Sequence, residues 1–348
     1  MLEPVTIVLV AISLVVSTAG VWLSIRLADR IRLLDVPNER SSHAVPTPRM
    51  GGVPMVAAAT FAFGGWALFA AGGVSLGKGL SYTFFFALSM FALGFVDDLR
   101  NLSPLFRFLV QILSAALFLW ALAPFFQVIP LGRWMVPGTV WIPIGAVWSI
   151  WMLNLYNFMD GIDGLAGGEA AVASSFFFLV FAWFGEPGWA VANLSVAAAS
   201  MGFLVYNWPP ARTFMGDGGS SFLGAFYGMQ CVVAHLTTPV PFPVLVLPFA
   251  NFILDTTYTL FRRVLRGEKW YQAHRSHLYQ RMTNLGMSHR KVTVIELVAV
   301  TASCGVAAVS IPGTYSVRTA LAIAVAAGIS SGGVWVAWRE RGMKAKVN

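Results

Sequence analysis

The chain has 348 residues, of which 57% are apolar and only 11% are charged, against about 25% charged in an average soluble domain. So little polar surface excludes an ordinary soluble globule and predicts one membrane-embedded domain over residues 1–348. The net charge of +8 does not indicate nucleic-acid binding, because the basic residues are scattered between apolar segments and form no patch on a polar fold. Cys231 and Cys304 both lie in apolar segments, so no disulfide is predicted.

Long apolar segments recur along the whole chain. A helix needs about 20 mostly apolar residues to cross the hydrocarbon of a bilayer. This length predicts an all-α, polytopic integral membrane protein with about eleven transmembrane helices. They are expected at residues 4–25, 51–71, 81–96, 104–125, 140–155, 165–184, 189–206, 220–235, 241–261, 292–311 and 316–338.

The distribution of Lys and Arg predicts the orientation. If the helices alternate in direction, 20 of the 23 basic residues fall on one side, and only Lys78, Arg133 and Arg318 fall on the other. Cytoplasmic loops are enriched in basic residues, so we expect the N-terminus outside, the C-terminus in the cytoplasm and the first segment to stay as an anchor. The cytoplasmic loops are then expected at about 26–50, 97–107, 155–168, 207–220 and 262–291.

Five aspartates lie at the ends of apolar segments on this predicted cytoplasmic side, namely Asp97, Asp98, Asp160, Asp163 and Asp217. Carboxylates are costly near membrane depth, so each is a candidate functional residue. Transporters more often place such acids near the midplane of the membrane. The pattern therefore favours chemistry at the cytoplasmic surface, and a secondary transporter of a sugar nucleotide or a lipid phosphate is the main alternative.

Asn154, Asn157, Asp160 and Asp163 recur at every third position, which makes them neighbours on a helical surface. Two ionised carboxylates at this spacing repel each other unless a cation lies beside them. The glycines that follow, at positions 161, 164, 167 and 168, are expected to let the phosphates of a ligand approach the backbone.

Two further acidic motifs stand in neighbouring loops. Asp217 lies among glycines just before an apolar segment, where the N–H groups of a helix start attract phosphate and a carboxylate suits Mg²⁺. Asp97 and Asp98 are adjacent, so on a helix their side chains diverge by about 100°. One of the two is expected to bind while the other orients.

The long basic loop after the ninth segment contains His274, Arg275, His277 and Arg281. Contact with anionic lipid is the simple explanation for the arginines at 262, 263 and 266. The histidines fit this explanation less well. Since the loop has neither Cys nor a third His for zinc, we expect them to hydrogen-bond phosphate or sugar.

Together these motifs resemble the polyprenyl-phosphate N-acetylhexosamine-1-phosphate transferase superfamily, also called glycosyltransferase family 4. The matching pieces are Pro-Thr-Pro-Arg-Met-Gly-Gly at 46–52, the pair at 97–98, the segments at 157–166 and 216–220, and the loop at 274–277. The resemblance is strongest to the bacterial O-antigen initiating branch. It implies a Mg²⁺-dependent transfer of a sugar 1-phosphate from a UDP-N-acetyl sugar to undecaprenyl phosphate, with UMP as the second product, in a bacterial inner membrane. Such a step begins a cell-envelope polysaccharide and takes place on the cytoplasmic face. A phosphotransferase of the CDP-alcohol type is disfavoured, because its Asp-Gly-x2-Ala-Arg signature is missing.

The resemblance also implies roles for single residues. Asp217 and Asn157 would hold Mg²⁺, with Mn²⁺ as an alternative ion. Asp97 and Asp98 would handle the lipid phosphate, whereas Asp160 and Asp163 would contact the nucleotide. The implied substrate-binding residues are Arg49, Gly51, Gly52, Arg107, Asn154, Asn157, His274, Arg275, His277 and Arg281. Two positions depart from many relatives, since Ser276 replaces a histidine and Asn101 replaces an acid. A homodimer is compatible with this interpretation.

Overall fold

The structure, a computed structural model, describes residues 4–31, 34–37, 45–69, 77–126, 128–131, 134–268 and 274–347. Within these ranges the chain is mainly α-helical, which confirms the predicted fold class. The helices are α1 Pro4–Ile31, α2 Gly52–Phe69, α3 Lys78–Arg100, α4 Pro104–Leu122, α5 Trp141–Met159, α6 Leu165–Trp183, α7 Pro187–Asn207, α8 Gly216–Thr237, α9 Phe242–Val246, α10 Ala250–Leu265, α11 Leu278–Asn284, α12 His289–Ser310 and α13 Tyr315–Val347. Two small antiparallel ribbons lie in loops, β1 Leu34–Asp35 with β2 Thr47–Pro48, and β3 Ile129–Leu131 with β4 Trp134–Val136.

In the part of the chain that the structure describes, 10 helical segments are long and apolar enough to cross a membrane. The protein is therefore a multi-pass membrane protein, as the composition predicts. The segment expected at 220–235 forms the 22-residue helix α8 but is not among these 10. Almost all of α8 is buried among other helices, so it tolerates polar residues such as Gln230 that a lipid-facing helix would avoid.

Helix α8 is the centre of the bundle and packs against α3 and α5. Small residues make these approaches close: a side chain at Gly228 would lie 2.9 Å from the Cβ of Met152, and one at Gly94 would collide with the carbonyl of Asp217. The beginning of α8 is therefore held against the end of α3, and α5 lies along its other side. These three helices carry most of the predicted acidic residues.

Two of the differences between predicted and observed helix bounds bear on the site and its surroundings. The helix expected at 140–155 continues to Met159, so Asn154 and Asn157 lie within α5 while Asp160 ends it. Asp163 lies in the turn beyond, so the expectation that all four share one helical surface is wrong for the last two. The segment expected at 241–261 is divided into α9, a 3₁₀ turn over Leu247–Phe249, and α10. Pro248 has no N–H to donate and interrupts the helix there.

Candidate active site

The connection between α3 and α4 brings an arginine back onto the acidic end of α3. Asn101 ends α3 in the left-handed conformation with φ of 48°, and the hydroxyl of Ser103 caps α4. Because only three residues separate the two helices, Arg107 in the first turn of α4 faces α3. Its guanidinium pairs with Asp97 and lies 3.2 Å from a carboxylate oxygen of Asp217. Arg107 thus bridges two of the predicted catalytic carboxylates.

Asp98 holds the first turn of α8. Its two carboxylate oxygens accept the N–H groups of Asp217 and Gly218 at 3.2 and 3.1 Å, which satisfies donors that a helix start leaves unpaired. The sequence suggested that the N–H groups of this helix start bind a substrate phosphate, but in the structure these two are already bound to Asp98. Arg49 lies 3.9 Å from Asp98 and donates a further hydrogen bond to its backbone carbonyl.

Gly51 and Gly52 fasten the start of α2 to the loop before α8. Their N–H groups donate to the carbonyls of Phe214 and Met215 at 2.9 and 3.0 Å. A side chain at either glycine would collide with protein atoms of this loop or of α7 and α8. The structure thus gives both glycines a packing role, and the substrate contact expected of them stays a prediction.

Asn157, Asp217 and Ser220 form the polar contact between α5 and α8. The amide nitrogen of Asn157 lies 3.3 Å from a carboxylate oxygen of Asp217 and 2.9 Å from the hydroxyl of Ser220. The predicted pair of metal ligands is therefore brought together, and it offers the hard oxygen donors that Mg²⁺ prefers. No three acidic, His or Cys side chains of the described ranges converge on one metal position. This donor set fits an ion that takes its other ligands from phosphate and water.

Asp160 lies half-buried at the end of α5, beside the other acidic residues. Burial raises the pKa of its carboxyl well above the usual range, and the negative charges of Asp217 and Asp98 raise it further. Three carboxylates at this end of the bundle therefore repel one another. A divalent cation among them would relieve this repulsion.

Asp163 is directed away from this group. One of its carboxylate oxygens accepts the N–H of Ala211 at 3.0 Å, and the other lies 3.2 Å from Nδ1 of His289. Burial tends to raise the pKa of Asp163, but the hydrogen bonds from His289 and Ala211 outweigh it and leave the pKa lowered. Asp163 thus ties the turn after α5 to the loop before α8 and to the start of α12. The sequence gives no signal for the role of His289.

We expect the variant Asp163→Asn to unfold at a lower temperature than the wild type while keeping measurable activity. The carboxylate with a lowered pKa contributes stability above about pH 4 and loses that contribution as the pH falls through its folded-state pKa. Thermal unfolding in detergent should show a difference of roughly 2–4 °C, the shift that about 1 kcal/mol produces in a large domain. The difference should shrink in acid; a constant difference across the acidic range would contradict the proposed contacts.

The glycines after Asp160 lie where a side chain would meet protein atoms, which gives them a packing role, and the phosphate contact expected of them stays a prediction. A side chain at Gly161 would collide with the hydroxyl of Tyr279, and one at Gly168 would lie 2.8 Å from Leu297. Gly164 adopts a positive φ of 75° at the start of α6, a conformation that favours glycine. These glycines allow α6 to approach α7, α11 and α12 closely.

A small cavity opens next to the acidic group, by which we mean Asp97, Asp98, Asp160 and Asp217. It lies between α3, α4, α5 and α8 and is lined by Met90, Leu93, Gly94, Arg107, Gln111, Leu153, Asn154, Asn157 and Ser221. The amide of Asn154 donates to the side-chain oxygen of Gln111 at 2.9 Å. Gln111 was missed by the sequence analysis, although a glutamine inside an apolar helix is a usable signal. The cavity therefore joins the charged end of the site to the interior of the bundle.

The histidine loop precedes α11. The rings of His274 and His277 lie 4.9 Å apart between centroids, and His274 Nδ1 lies 2.9 Å from the hydroxyl of Ser276. Burial, with the nearby charges of His277 and Arg263, lowers the pKa of His274 to about 4. His274 is therefore neutral at neutral pH and acts as a hydrogen-bonding group.

The two predicted arginines of this region have different surroundings. Arg275 lies half-buried between the histidines. Arg281 is buried in α11, where two of its nitrogens each donate to the carboxylate of Glu340 at 2.8 Å. Arg281 thus anchors α13 to α11, and the contact with substrate expected of it stays a prediction.

Aspartates, an arginine bridge and a histidine loop at one end of a helical membrane bundle define a membrane enzyme that handles phosphorylated substrates. Residues 80–235, which contain all five predicted aspartates, match the family Glycosyl transferase family 4. The chain belongs to this family, the membrane-embedded polyprenyl-phosphate hexosamine-1-phosphate transferases.

Relatives cover most of the chain. A protein of Bacillus subtilis (strain 168), named "Probable undecaprenyl-phosphate N-acetylglucosaminyl 1-phosphate transferase", is 31% identical over 286 residues, which are 78% of this chain and 76% of that protein. "Decaprenyl-phosphate N-acetylglucosaminephosphotransferase" of Mycobacterium leprae (strain TN) is 29% identical over 77% of this chain and 74% of its own length. The "Phospho-N-acetylmuramoyl-pentapeptide-transferase" of Caldanaerobacter subterraneus subsp. tengcongensis is 30% identical over 65% and 72%.

Proposed function

We propose that the protein transfers an N-acetylhexosamine 1-phosphate from a UDP-sugar to undecaprenyl phosphate, with Mg²⁺ as its cofactor and UMP as the second product. The observation that carries this proposal is the convergence of Asp97, Asp98, Asp160 and Asp217 with Arg107 at one end of the bundle. The names of the Bacillus and Mycobacterium relatives describe polyprenyl phosphates and N-acetylglucosamine 1-phosphate.

The acceptor requires little activation. A phosphate monoester has a second pKa of about 6, so it is mostly a dianion at neutral pH. Its oxygen forms a bond to the phosphorus that carries the sugar, and the bond from this phosphorus to the bridging oxygen breaks. The bridging oxygen leaves with UMP, so that no proton has to be removed first. The main obstacle is repulsion between two anionic substrates.

Residues at the end of α3, at the starts of α4 and α8 and on α5 reduce this repulsion. Arg107, already between Asp97 and Asp217, supplies a fixed positive charge for the phosphates. Asp217 and Asn157 would hold Mg²⁺, which neutralises the diphosphate and the charge that develops on the leaving group. Asp98 positions Asp217 by binding the first N–H groups of α8.

The cavity beside Arg107 supports an approach of the acceptor from the membrane. Met90, Leu93 and Leu153 form an apolar part of its lining, whereas Arg107 and Asn157 line it near the acidic group. A lipid phosphate with its first isoprene unit has the same order of polarity. The donor, by contrast, would bind on the side of the histidine loop, where the neutral ring of His274 can hydrogen-bond sugar or phosphate.

We place the protein in the bacterial inner membrane with the site on the cytoplasmic face, where it would begin a cell-envelope polysaccharide. The acidic group lies at the same ends of the helices as the loops that hold most of the arginines. Cytoplasmic loops are enriched in Lys and Arg, so this orientation exposes the site to the cytoplasm. UDP-sugars are cytoplasmic metabolites, so the site would face the compartment that contains its donor.

The proposal is tested with the purified protein, undecaprenyl phosphate, Mg²⁺ and a panel of UDP-N-acetyl sugars that begins with UDP-N-acetylglucosamine. We expect UMP release that depends on both the lipid and the divalent ion, with the sugar phosphate recovered in the lipid phase. Uptake of intact UDP-sugar into liposomes without UMP would instead indicate the transporter. A chelator that leaves the rate unchanged would contradict the role of Mg²⁺.

A further inference from the structure

Asp255 is a buried carboxylate of α10 that the sequence analysis left without a partner. Only 5% of the residue is exposed. Its carboxylate accepts the N–H groups of Leu278 and Tyr279, at 2.7 and 3.2 Å. The hydroxyl of Thr259, one turn further along α10, donates to the same carboxylate at 3.1 Å. Asp255 thus binds the beginning of α11 to α10.

The same carboxylate lies next to the ring of His277. The distance from Nδ1 of His277 to an oxygen of Asp255 is 3.4 Å, and both side chains are 4% exposed. This Nδ1 atom is buried and completes no hydrogen bond within the described part of the chain, although it lies within ion-pair distance of Asp255. A carboxylate beside Nδ1 favours the ring form that carries its proton there, which leaves Nε2 to accept a hydrogen bond.

Further contacts connect the histidine loop to the end of α5, just before Asp160. Tyr279, whose N–H Asp255 accepts, donates its hydroxyl to the carbonyl of Phe158 at 2.9 Å, two residues before Asp160. The ring of Tyr279 also stacks with that of His277 at an interplanar angle of 17°. Asp255 therefore fixes the histidine loop at both its ring and its backbone, beside the end of α5.

We propose that Asp255 is a positioning residue for the sugar-nucleotide donor, acting through His277: it holds the imidazole with Nδ1 toward α10 and Nε2 free to accept a hydrogen bond from a hydroxyl or amide N–H of the donor sugar. This inference rests on the proposed function, because it assigns His277 to donor binding. It assigns no contact between Asp255 and either substrate.

The test compares Asp255→Asn with the wild type in the UMP-release assay. Asparagine has nearly the same size but cannot accept the N–H groups of α11 and the ring together. We expect the KM for the donor to rise by at least roughly tenfold, the size expected when a charge-assisted hydrogen bond is lost. The KM for the lipid acceptor should stay within about twofold of the wild-type value, since a uniform loss of binding would affect both substrates.

A double-mutant cycle separates positioning from general stability. If Asp255 acts through His277, the variant that combines Asp255→Asn with His277→Gln should have the donor KM of His277→Gln alone. Multiplication of the two single effects would overturn the proposal. The matched control is Thr256→Val, an isosteric change at the neighbouring buried position of α10, whose hydroxyl has no hydrogen-bond partner in the described ranges. Its kinetics should equal those of the wild type.

A measurement on the unmodified protein keeps the inference testable if Asp255→Asn does not fold. The chain has five histidines, so ¹⁵N-histidine labelling gives few signals, and the variant His277→Gln identifies the one that belongs to His277. We expect His277 to carry its proton on Nδ1, and the Nε2-protonated form would overturn the proposal.

The two proposals fail in different ways. A wild-type protein that releases no UMP with any donor contradicts the proposed function. Lipid-dependent UMP release in Asp255→Asn with an unchanged donor KM contradicts only the role of Asp255.

Discussion

The variant Asp217→Asn is expected to lose lipid-dependent UMP release by at least about 100-fold, the loss typical when a preorganised electrostatic contact to the reacting group is removed. Asp217, at the start of α8, is contacted both by Arg107 of α4 and by Asn157 of α5. Its carboxylate therefore connects three helices of the site. The amide has almost the same volume but no charge for a divalent ion. The rate should therefore fall even at saturating Mg²⁺.

The matched control for Asp217→Asn is Glu186→Gln. Glu186 lies between α6 and α7, at the opposite end of α6 from the acidic group, so the same loss of charge there should leave the rate unchanged. Both variants should elute and unfold like the wild type. Near-normal activity of Asp217→Asn would contradict the assignment of the site.

The second large effect is expected for Arg107→Gln. In the wild type the guanidinium lies between Asp97 and Asp217 and faces the cavity. Without it, the two carboxylates face each other and the acceptor phosphate loses its fixed positive charge. We expect kcat to fall by about 100-fold and the KM for the lipid acceptor to rise, as UMP release at varied acceptor concentration would show.

Two comparisons make this result specific to the guanidinium. Arg107→Lys keeps the charge but loses the planar group that bridges two carboxylates, so it should recover only part of the activity. Arg290→Gln removes an exposed arginine from the start of α12 and should have no effect. Equal losses in the glutamine and lysine variants with an unchanged acceptor KM would leave Arg107 without the proposed role at the acceptor.

Several features could be predicted from the sequence because they depend on local composition. Apolar segments of sufficient length predict membrane helices wherever they occur, and 10 are found in the described ranges. The alternation of these helices brings the helix ends and the turn that carry Asp97, Asp160 and Asp217 to one end of the bundle, so the acidic group could be predicted from the sequence alone. The role of Arg107, by contrast, was implied only by the resemblance to the family.

Partners between distant segments were decided only by tertiary structure. Asp163 binds His289, and Arg281 binds Glu340, across separations that no local pattern connects. Asp98 binds the start of α8 because Gly94 lets α3 approach it closely.

The physical reason is that a periodic pattern gives the turns of one helix but not its rotation against its neighbours. Hydrophobic burial, which makes the helices insert, is non-directional and does not choose which face meets which. Close packing of glycines and long side chains fixes those rotations. The rotations determine that Asp163 faces α12, whereas the carboxylates of Asp160 and Asp217 lie close enough to repel each other. The sequence by itself thus determined the membrane fold and the composition of the site, whereas the assignment of each carboxylate to its partner came from the packing of the helices.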